Sequence, residues 1–188
     1  MIETTAIRPV NKDAFTITWN TGRRCNFDCS YCEDTFHNNY SRNRDFEDFK
    51  KTFDFIQQWT GLYNSKRSEP LRSTISFTGG EPTVNPAFWK LLDYIRSQPG
   101  EYYIGLTTNG SWGHKHTEKV IQHVDSVTIS YHAEADQKMK NRVLTNAIKI
   151  KEAGKRLQVN LMMHMDHWDE CVEMYEVFKY YDINVIPR

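Results

Sequence analysis

The sequence has no apolar run long enough to form a membrane-spanning helix, which needs about 20 consecutive apolar residues. Its first eleven residues also lack the apolar segment of a secretory signal. Neither sign of charge is in excess, because 24 lysine and arginine residues balance 24 aspartate and glutamate residues. A neutral chain gives no support for nucleic acid as an obligate partner, since phosphate backbones are bound by an excess of basic residues.

Cysteine is also scarce, with four residues in a chain of 188. Three of the four are clustered, which suits a reducing compartment better than the disulfide framework of a secreted protein. We therefore predict a soluble cytoplasmic protein. Hydrophobic residues make up 39% of the chain, enough for a globular core, and no shift in composition marks a second domain. We expect one domain over residues 1–188.

The three clustered cysteines, Cys25, Cys29 and Cys32, lie within eight residues at spacings of four and three. We call residues 25–32 the cysteine loop. Such a loop can wrap its thiolates around one compact inorganic centre. Four thiolates would complete a 4Fe-4S cluster, but the fourth cysteine, Cys171, is distant in sequence. Three thiolates leave one iron with an open coordination position, and open positions are where metal sites do chemistry.

A zinc knuckle or a disulfide-rich loop is the alternative interpretation of the cysteine loop. Zinc would need a fourth cysteine or histidine ligand close by. His37 is the candidate for that ligand.

Strand and helix patterns alternate along the chain. Six short segments are predicted as strands, with period-two alternation clearest in the first and the fifth: residues 15–20, 74–78, 102–107, 126–130, 157–161 and 183–186. Helical patterns follow the first five: residues 45–59, 86–98, around 120–121, 139–150 and 168–178. Crossovers of this length imply a parallel sheet with right-handed connections. Six units are too few for a closed eight-stranded barrel, so we expect an α/β fold, an open partial barrel of about six strands with helices outside.

The residues that could bind a ligand or take part in catalysis lie at the carboxyl ends of the predicted strands, where parallel α/β sheets bind ligands. The cysteine loop follows the first strand, and Gly-Gly-Glu-Pro at residues 79–82 follows the second. The later strands end at Asn109, at Ser130 and His132, and at His164 and His167. This agreement between pattern and topology predicts a single site at that end of the sheet.

Gly79, Gly80 and Glu81 form the second distinctive stretch. Two glycines let a backbone come very close to a ligand, and a neighbouring carboxylate can accept hydrogen bonds from an ammonium group. A plain turn is the alternative interpretation.

The cysteine loop resembles the CxxxCxΦC motif of the radical SAM superfamily, with Tyr31 as the aromatic residue Φ, and residues 79–82 resemble its GGEP motif. The resemblance implies the fold of that family, a 4Fe-4S cluster held by Cys25, Cys29 and Cys32, and S-adenosylmethionine (SAM) chelated at the open iron. It also implies reductive cleavage of SAM to a 5′-deoxyadenosyl radical that abstracts hydrogen from a substrate. A flavodoxin or ferredoxin would supply the electron.

The resemblance further implies a set of SAM contacts. Glycine backbone and carboxylate would bind the methionyl amino group, a serine the ribose, an arginine the carboxylate, and an aromatic residue and a methionine the adenine. The implied residues are Tyr31, Gly79, Gly80, Glu81, Asn109, Ser130, Arg142 and Met163. The contact implied for Tyr31 is from its backbone carbonyl to the adenine amine, and packing of its ring is the alternative. Arg142 has an alternative role as a solvated helix charge, Met163 as core packing, and Asn109 as a turn residue.

Three histidines, His132, His164 and His167, are the candidates for substrate contact or proton transfer, because imidazole titrates near neutral pH. Each has a structural role as its alternative. Cys171 lies on an apolar helical stripe, which predicts a buried core thiol.

The chain ends directly after the sixth predicted strand, so we expect a core domain without a C-terminal extension or lid. No residue identifies the substrate, which could be a small molecule or a peptide. The rival class is a non-catalytic iron–sulfur or zinc module for electron transfer or structure. That class requires a fourth protein ligand and gives no reason for residues 79–82.

Overall fold

The computed structural model describes residues 8–11, 14–33, 35 and 37–188. Within them, seven strands form one sheet in the order of the chain. The strands are β1 (Arg8–Asn11), β2 (Ala14–Asn20), β3 (Arg72–Thr78), β4 (Tyr102–Thr108), β5 (Ser126–His132), β6 (Arg156–Met162) and β7 (Asn184–Pro187). Strands β2 to β7 are parallel. The predicted parallel sheet of six strands is therefore confirmed.

Strand β1 was not predicted. It is only four residues long, contains Pro9, and pairs antiparallel to β2 at the edge of the sheet. Its sequence, Arg-Pro-Val-Asn, has one β-branched residue and no alternation of apolar and polar side chains, so nothing in it indicated a strand. Proline is tolerated on an edge strand because an edge has one side without a sheet partner.

Five helices connect the parallel strands. They are α1 (Phe46–Asn64), α2 (Pro86–Ser97), α3 (Thr117–His123), α4 (Gln137–Glu152) and α5 (Trp168–Tyr180). Asp45 caps α1 by accepting a hydrogen bond from the Asp48 N–H at 2.9 Å, and Asn85 caps α2 in the same way. None of the helices in the described ranges is long and apolar enough to cross a bilayer.

Helix α1 is longer than the predicted segment 45–59, because it continues through Gly61 to Asn64. The last turn packs Tyr63 against Phe15 of β2, with ring centroids 4.7 Å apart. Glycine disfavours a helix interior by about 1 kcal/mol. Packing of an aromatic pair offsets that cost, which explains why the glycine did not end the helix.

The two faces of the sheet differ in polarity. Side chains on the helix-covered face are buried and apolar, including Ile75, Ile104, Ile129, Val159 and Leu161, all fully buried. The alternate side chains on β3, β5 and β6 point the other way and are half-buried or exposed. Those on the inner, concave face are mostly polar, for example Ser76, Thr128, Ser130, Gln158 and Asn160. The core therefore lies between sheet and helices, and the inner face is a polar groove.

Candidate functional site

The chain segment that leads into the cysteine loop packs against residues 79–82 at the end of β3. The Gly80 N–H donates to the Gly22 carbonyl at 2.7 Å, and the Glu81 N–H donates to the Arg24 carbonyl at 2.8 Å. These backbone bonds join the carboxyl ends of β2 and β3. The residues directly before the cysteine loop are thus bonded to residues 79–82, which places the start of the loop beside that turn.

The glycines of this turn are required by that contact. A Cβ atom on Gly80 would lie 2.4 Å from the carbonyl oxygens of both Arg23 and Arg24. A Cβ on Gly79 would lie 2.6 Å from the Gly22 carbonyl oxygen, and Gly79 has a φ of +133°. The close approach that we predicted for a ligand is made here by the chain's own backbone. Ligand binding by this turn stays a prediction.

The three cysteines of the loop carry free thiols, with Cys29 buried and Cys25 and Cys32 half-buried. The Phe27 N–H donates to the Cys25 sulfur at 3.4 Å. Burial raises the pKa of Cys25 to about 11 and that of Cys29 to about 12. These thiols are therefore protonated at neutral pH, and any metal centre must displace those protons to bind.

Cys171 lies apart from these three, as predicted for a core thiol. It is fully buried, and its sulfur donates to the Met162 carbonyl at 3.6 Å, between α5 and β6. The cysteine loop thus offers three thiols without the fourth cysteine. This donor set fits in kind a 4Fe-4S cluster with one open iron.

No three side chains of the His, Cys, Asp and Glu types are gathered as ligands of a single metal ion in the described part of the chain. The thiolates that hold a 4Fe-4S cluster are farther apart than the ligands of a single metal ion, because each thiolate binds a different iron atom. His37, the candidate zinc ligand, is buried, with its Nε2 atom 4.0 Å from the Asp28 carboxylate. Cluster binding by the loop stays a prediction.

His132, at the end of β5, lies inside the cysteine loop. Its Nδ1 atom is 3.2 Å from the Cys29 sulfur and is hydrogen-bonded to the Tyr31 hydroxyl. The Tyr31 ring stacks on the imidazole at 5.8 Å, and Phe27 contacts it edge-on at 5.6 Å. Burial lowers the pKa of His132 to about 4, so its imidazole is neutral at neutral pH. His132 and Tyr31 hold the loop together, and their catalytic and cofactor roles stay predictions.

Glu134 ties the cysteine loop to the ends of β5 and β6. Its Oε2 atom accepts a hydrogen bond from the Ser30 N–H at 3.1 Å, and the Ser30 hydroxyl lies 3.3 Å from His164 Nε2. The ring of His167 lies 5.5 Å from that of His164. Burial alone would raise the pKa of Glu134, but the bonds from Ser30 and the nearby imidazoles hold it below its ordinary value. The structure thus brings His164 to the loop, with His167 beside it, and the roles of both histidines toward a substrate stay predictions.

The Glu81 carboxylate is buried, with 3% of the residue exposed, and is bonded to the protein. Its Oε1 atom accepts from the Thr83 N–H at 3.0 Å, the Thr83 hydroxyl at 2.6 Å and the Thr108 hydroxyl at 2.7 Å. Its Oε2 atom accepts from the Asn109 N–H at 2.6 Å. Burial raises the pKa of Glu81, and these hydrogen bonds oppose that rise. A carboxylate has about four lone-pair positions, so an ammonium group would have to use the free position on Oε2.

Asn109 links the hydrogen bonds of Glu81 to the cysteine loop. Its Nδ2 donates to the Asn26 Oδ1 at 2.9 Å, and the Asn26 Nδ2 donates to the Ser111 hydroxyl at 2.9 Å. The Ser111 N–H donates back to the Asn109 Oδ1 at 3.0 Å, which is also the bond of a local turn. Asn109 is therefore both a turn residue and a link between β4 and the loop. Its contact with a cofactor stays a prediction.

Three predicted SAM contacts are joined to the cysteine loop by no hydrogen bond among the described residues. Ser130 lies half-buried on the inner face of β5, opposite Asn160 of β6. Met163 packs against the core. Arg142 lies on the outer helix α4, with its guanidinium 3.9 Å from the Met139 sulfur. All three stay predictions.

Sequence reasoning missed Asn26, Ser30, Ser111 and Glu134. Asn26 and Ser30 lie between the cysteines, where their polar side chains were the available signal. Glu134 stands two residues after His132, at a strand end already assigned to the site. The pairings themselves could not be read, because they depend on how the strand ends meet.

Comparison with known proteins decides the family. The family model for the radical SAM superfamily matches residues 19–178, most of the chain. This chain belongs to the radical SAM superfamily. The matched range includes both the cysteine loop and residues 79–82.

Among curated relatives, the chain is similar to the GTP 3′,8-cyclases of Actinobacillus succinogenes and Psychromonas ingrahamii. It is 26% identical to each, with 76% and 80% of this chain aligned to 43% and 45% of theirs. The chain thus spans less than half the length of these relatives.

Solved structures share the fold. Streptococcus suis SuiB bound to the precursor peptide SuiA matches with a TM-score of 0.60 at 15% identity, over 92% of this chain and 39% of that one. The enzyme anSMEcpe with bound AdoMet and Kp18Cys peptide matches with a TM-score of 0.62 at 18% identity, over 92% of this chain and 51% of that one. At these identities the likeness establishes the partial-barrel fold.

Proposed function

We propose that this chain is a radical SAM enzyme whose Cys25, Cys29 and Cys32 hold a 4Fe-4S cluster beside bound SAM. The observation that carries the proposal is the position of the three free thiols. They lie on one loop, packed against residues 79–82 and bonded to the ends of β4 and β5. When bound, the reduced cluster supplies the electron that cleaves SAM to methionine and a 5′-deoxyadenosyl radical.

The chain's own residues bind and orient the cofactor in this proposal. The backbone of Gly79 and Gly80 and the free position on Glu81 Oε2 bind the ammonium group, supported by the anchoring of that carboxylate on Thr108 and Asn109. The other proposed contacts are Ser130 to the ribose, Arg142 to the carboxylate, and Tyr31 and Met163 to the adenine, with Asn109 orienting the loop.

The substrate occupies the polar inner groove and is contacted by His132, His164 or His167. His132 is within reach of the loop, with its Nδ1 atom 3.2 Å from the Cys29 sulfur. The relatives differ in what their names say of them, a GTP cyclase in one case and a protein bound to a precursor peptide in the other. The substrate class therefore stays at a small molecule or a peptide.

The proposal also includes a single core domain over residues 1–188, a cytoplasmic location, and a flavodoxin or ferredoxin as electron donor. The scarcity of cysteine outside the loop supports the reducing compartment.

Anaerobic reconstitution tests the proposal. The purified chain is incubated with iron and sulfide, reduced with dithionite and mixed with SAM, and 5′-deoxyadenosine is measured by chromatography. We expect uptake of about four irons per chain and slow release of 5′-deoxyadenosine. Tight zinc binding with no iron uptake would instead establish the non-catalytic zinc module. An assembled cluster with no SAM cleavage over hours would leave an electron-transfer or structural module.

A further inference from the structure

The amino ends of β5, β6 and β7 border a cavity of about 680 Å³, at the opposite end of these strands from the cysteine loop. Sites for small molecules typically enclose about 300–1,000 Å³. Four cationic residues line the cavity, Lys151, Lys155, Arg156 and Lys179, together with one carboxylate, Asp182. In a chain whose net charge is zero, this is a local concentration of positive charge.

The single carboxylate pairs with one of these cations. Asp182 accepts a hydrogen bond from Lys151 Nζ at 2.7 Å. That bond, and the charge of Lys179 beyond it, hold the pKa of Asp182 below its ordinary value. No carboxylate of the described residues lies within 4.0 Å of the cationic groups of Lys155, Arg156 or Lys179. Three cations around one cavity therefore lack a direct counter-charge.

Hydrogen-bond donors on the inner face of the sheet complete the lining. They are the hydroxyls of Ser126 and Thr128 and the amide of Asn184. The amide of Gln158 also lines the cavity, but its Nε2 donates to the Asn160 Oδ1 at 2.9 Å. The Asn184 Nδ2 lies 3.5 Å from the Gln158 Oε1, at the limit of a hydrogen bond, so this amide is held only loosely within the protein. Cations combined with neutral donors are the groups that bind a ligand with several anionic oxygens.

Helix electrostatics explain only part of this cluster. Lys151 lies in the last turn of α4 and Lys179 in the last turn of α5, where cations interact favourably with the free carbonyl groups. Lys155 and Arg156 lie outside both helices, and Arg156 begins β6. Interaction with a helix end therefore does not explain why Lys155 and Arg156 lie at this cavity.

We propose that this cavity binds a small molecule bearing a multivalent oxyanion, either a di- or triphosphate group or a polycarboxylate. The concave lining favours a small ligand over a flat macromolecular surface. The six-residue rise from Ser126 to His132 along β5 corresponds to about 20 Å, so the oxyanion lies far from the cysteine loop. Binding requires neither a cluster nor SAM, and its test is independent of the proposed radical chemistry.

Calorimetric titration of the whole chain at low salt with inorganic triphosphate, and separately with citrate, tests the proposal. We expect binding of at least one of them, weakening as salt is raised because the contacts are between charges. Arg156→Gln and Lys155→Gln each remove a charge-assisted hydrogen bond, so affinity falls about tenfold. Lys149→Gln is the matched control, because Lys149 lies in the same last turn of α4 but is not part of the cavity lining.

The two ligands separate the sources of the oxyanion. Binding of triphosphate alone assigns a phosphate site, and binding of citrate as well assigns a broader polyanion site. Absence of binding by both at low salt overturns the proposal. Equal weakening by Lys149→Gln and Arg156→Gln also overturns it, because the attraction would then be general to that surface. Circular dichroism of each exposed-residue variant shows that the fold is retained.

Discussion

The polar groups at the two ends of the parallel strands differ in whether they are bonded to other groups of the protein. At the carboxyl ends, Glu81, Asn109 and Glu134 are bonded to the protein itself and hold the cysteine loop. At the amino ends of β5 to β7, four cations line a cavity, and three of them have no direct counter-charge among the residues that the structure describes. Mutual bonding of polar groups fixes a loop in place, whereas uncompensated charge costs stability unless a ligand offsets it. The difference separates a positioned site from a charged binding cavity.

The largest expected effect is at the cysteine loop. Replacing Cys25, Cys29 or Cys32 by Ala should abolish cluster assembly, because each thiolate binds its own iron. Replacing Cys171 by Ala should leave iron uptake intact, since its thiol is bonded to Met162 in the core. Iron analysis after anaerobic reconstitution measures both. Retained iron in all three loop variants, or loss in the Cys171 variant, would contradict the assignment.

The substitution Gly80→Ala tests the backbone contact between residues 79–82 and the segment that leads into the cysteine loop. The new Cβ would meet two carbonyl oxygens at 2.4 Å, which the packed chains cannot accommodate without shifting. We expect a loss of about 1–3 kcal/mol or more in the free energy of unfolding, measured with urea. Gly113→Ala is the control, since no atom lies within 4 Å of its Cβ position. Equal stability of the two variants would show that the turn is not fixed by this contact.

Glu81→Gln separates the two roles of that carboxylate. The amide nitrogen of Gln replaces one of the two oxygens and cannot accept the bonds made there, which come from Asn109 at Oε2 or from Thr83 and Thr108 at Oε1. The free energy of unfolding should therefore fall by about 1–3 kcal/mol. If Oε2 also binds the SAM ammonium, affinity for SAM should fall about tenfold or more with the cluster still assembled. Urea unfolding measures the first effect and equilibrium dialysis of SAM the second. Unchanged SAM binding would refute the ammonium contact.

A smaller effect is expected for Glu134→Gln. The Ser30 N–H loses a charged acceptor, worth about 0.5–1.5 kcal/mol, and the cysteine loop is held less firmly. Iron should be removed faster by a chelator from the reconstituted variant than from the wild-type protein. Glu118→Gln, an exposed change in the first turn of α3, serves as the control. Equal rates of iron loss in both variants would show that the Glu134 bond does not hold the loop.

The smallest effect is expected at the cavity beside the amino ends of β5 to β7. Asp182→Asn removes the one carboxylate of the cavity and frees Lys151, so affinity for inorganic triphosphate should rise two- to fivefold, roughly the effect of one exposed charge. Asparagine tolerates the positive φ of 53° at this position, so stability should change little. Titration calorimetry measures the affinity. A fall in affinity would mean that Asp182 is itself a ligand-binding group.

The amino-acid sequence by itself determined where the strands and helices lie. Local sequence patterns located all six parallel strands within two residues of their bounds. Asp45 and Asn85 marked the starts of α1 and α2. The spacing of the cysteines, with residues 79–82, predicted the family that comparison then established. These features could be read because each depends on residues that are close together in the chain.

Only the tertiary structure decided which residues meet. The Ser30–Glu134 bond joins positions 104 residues apart, and the Asn26–Asn109 bond joins positions 83 apart. Backbone atoms of Gly22 and Arg24 fill the space that a side chain would need at the glycines of residues 79–82. The basic cavity likewise gathers residues from several elements. Such contacts follow from strand register and packing across the sheet, which no local pattern encodes.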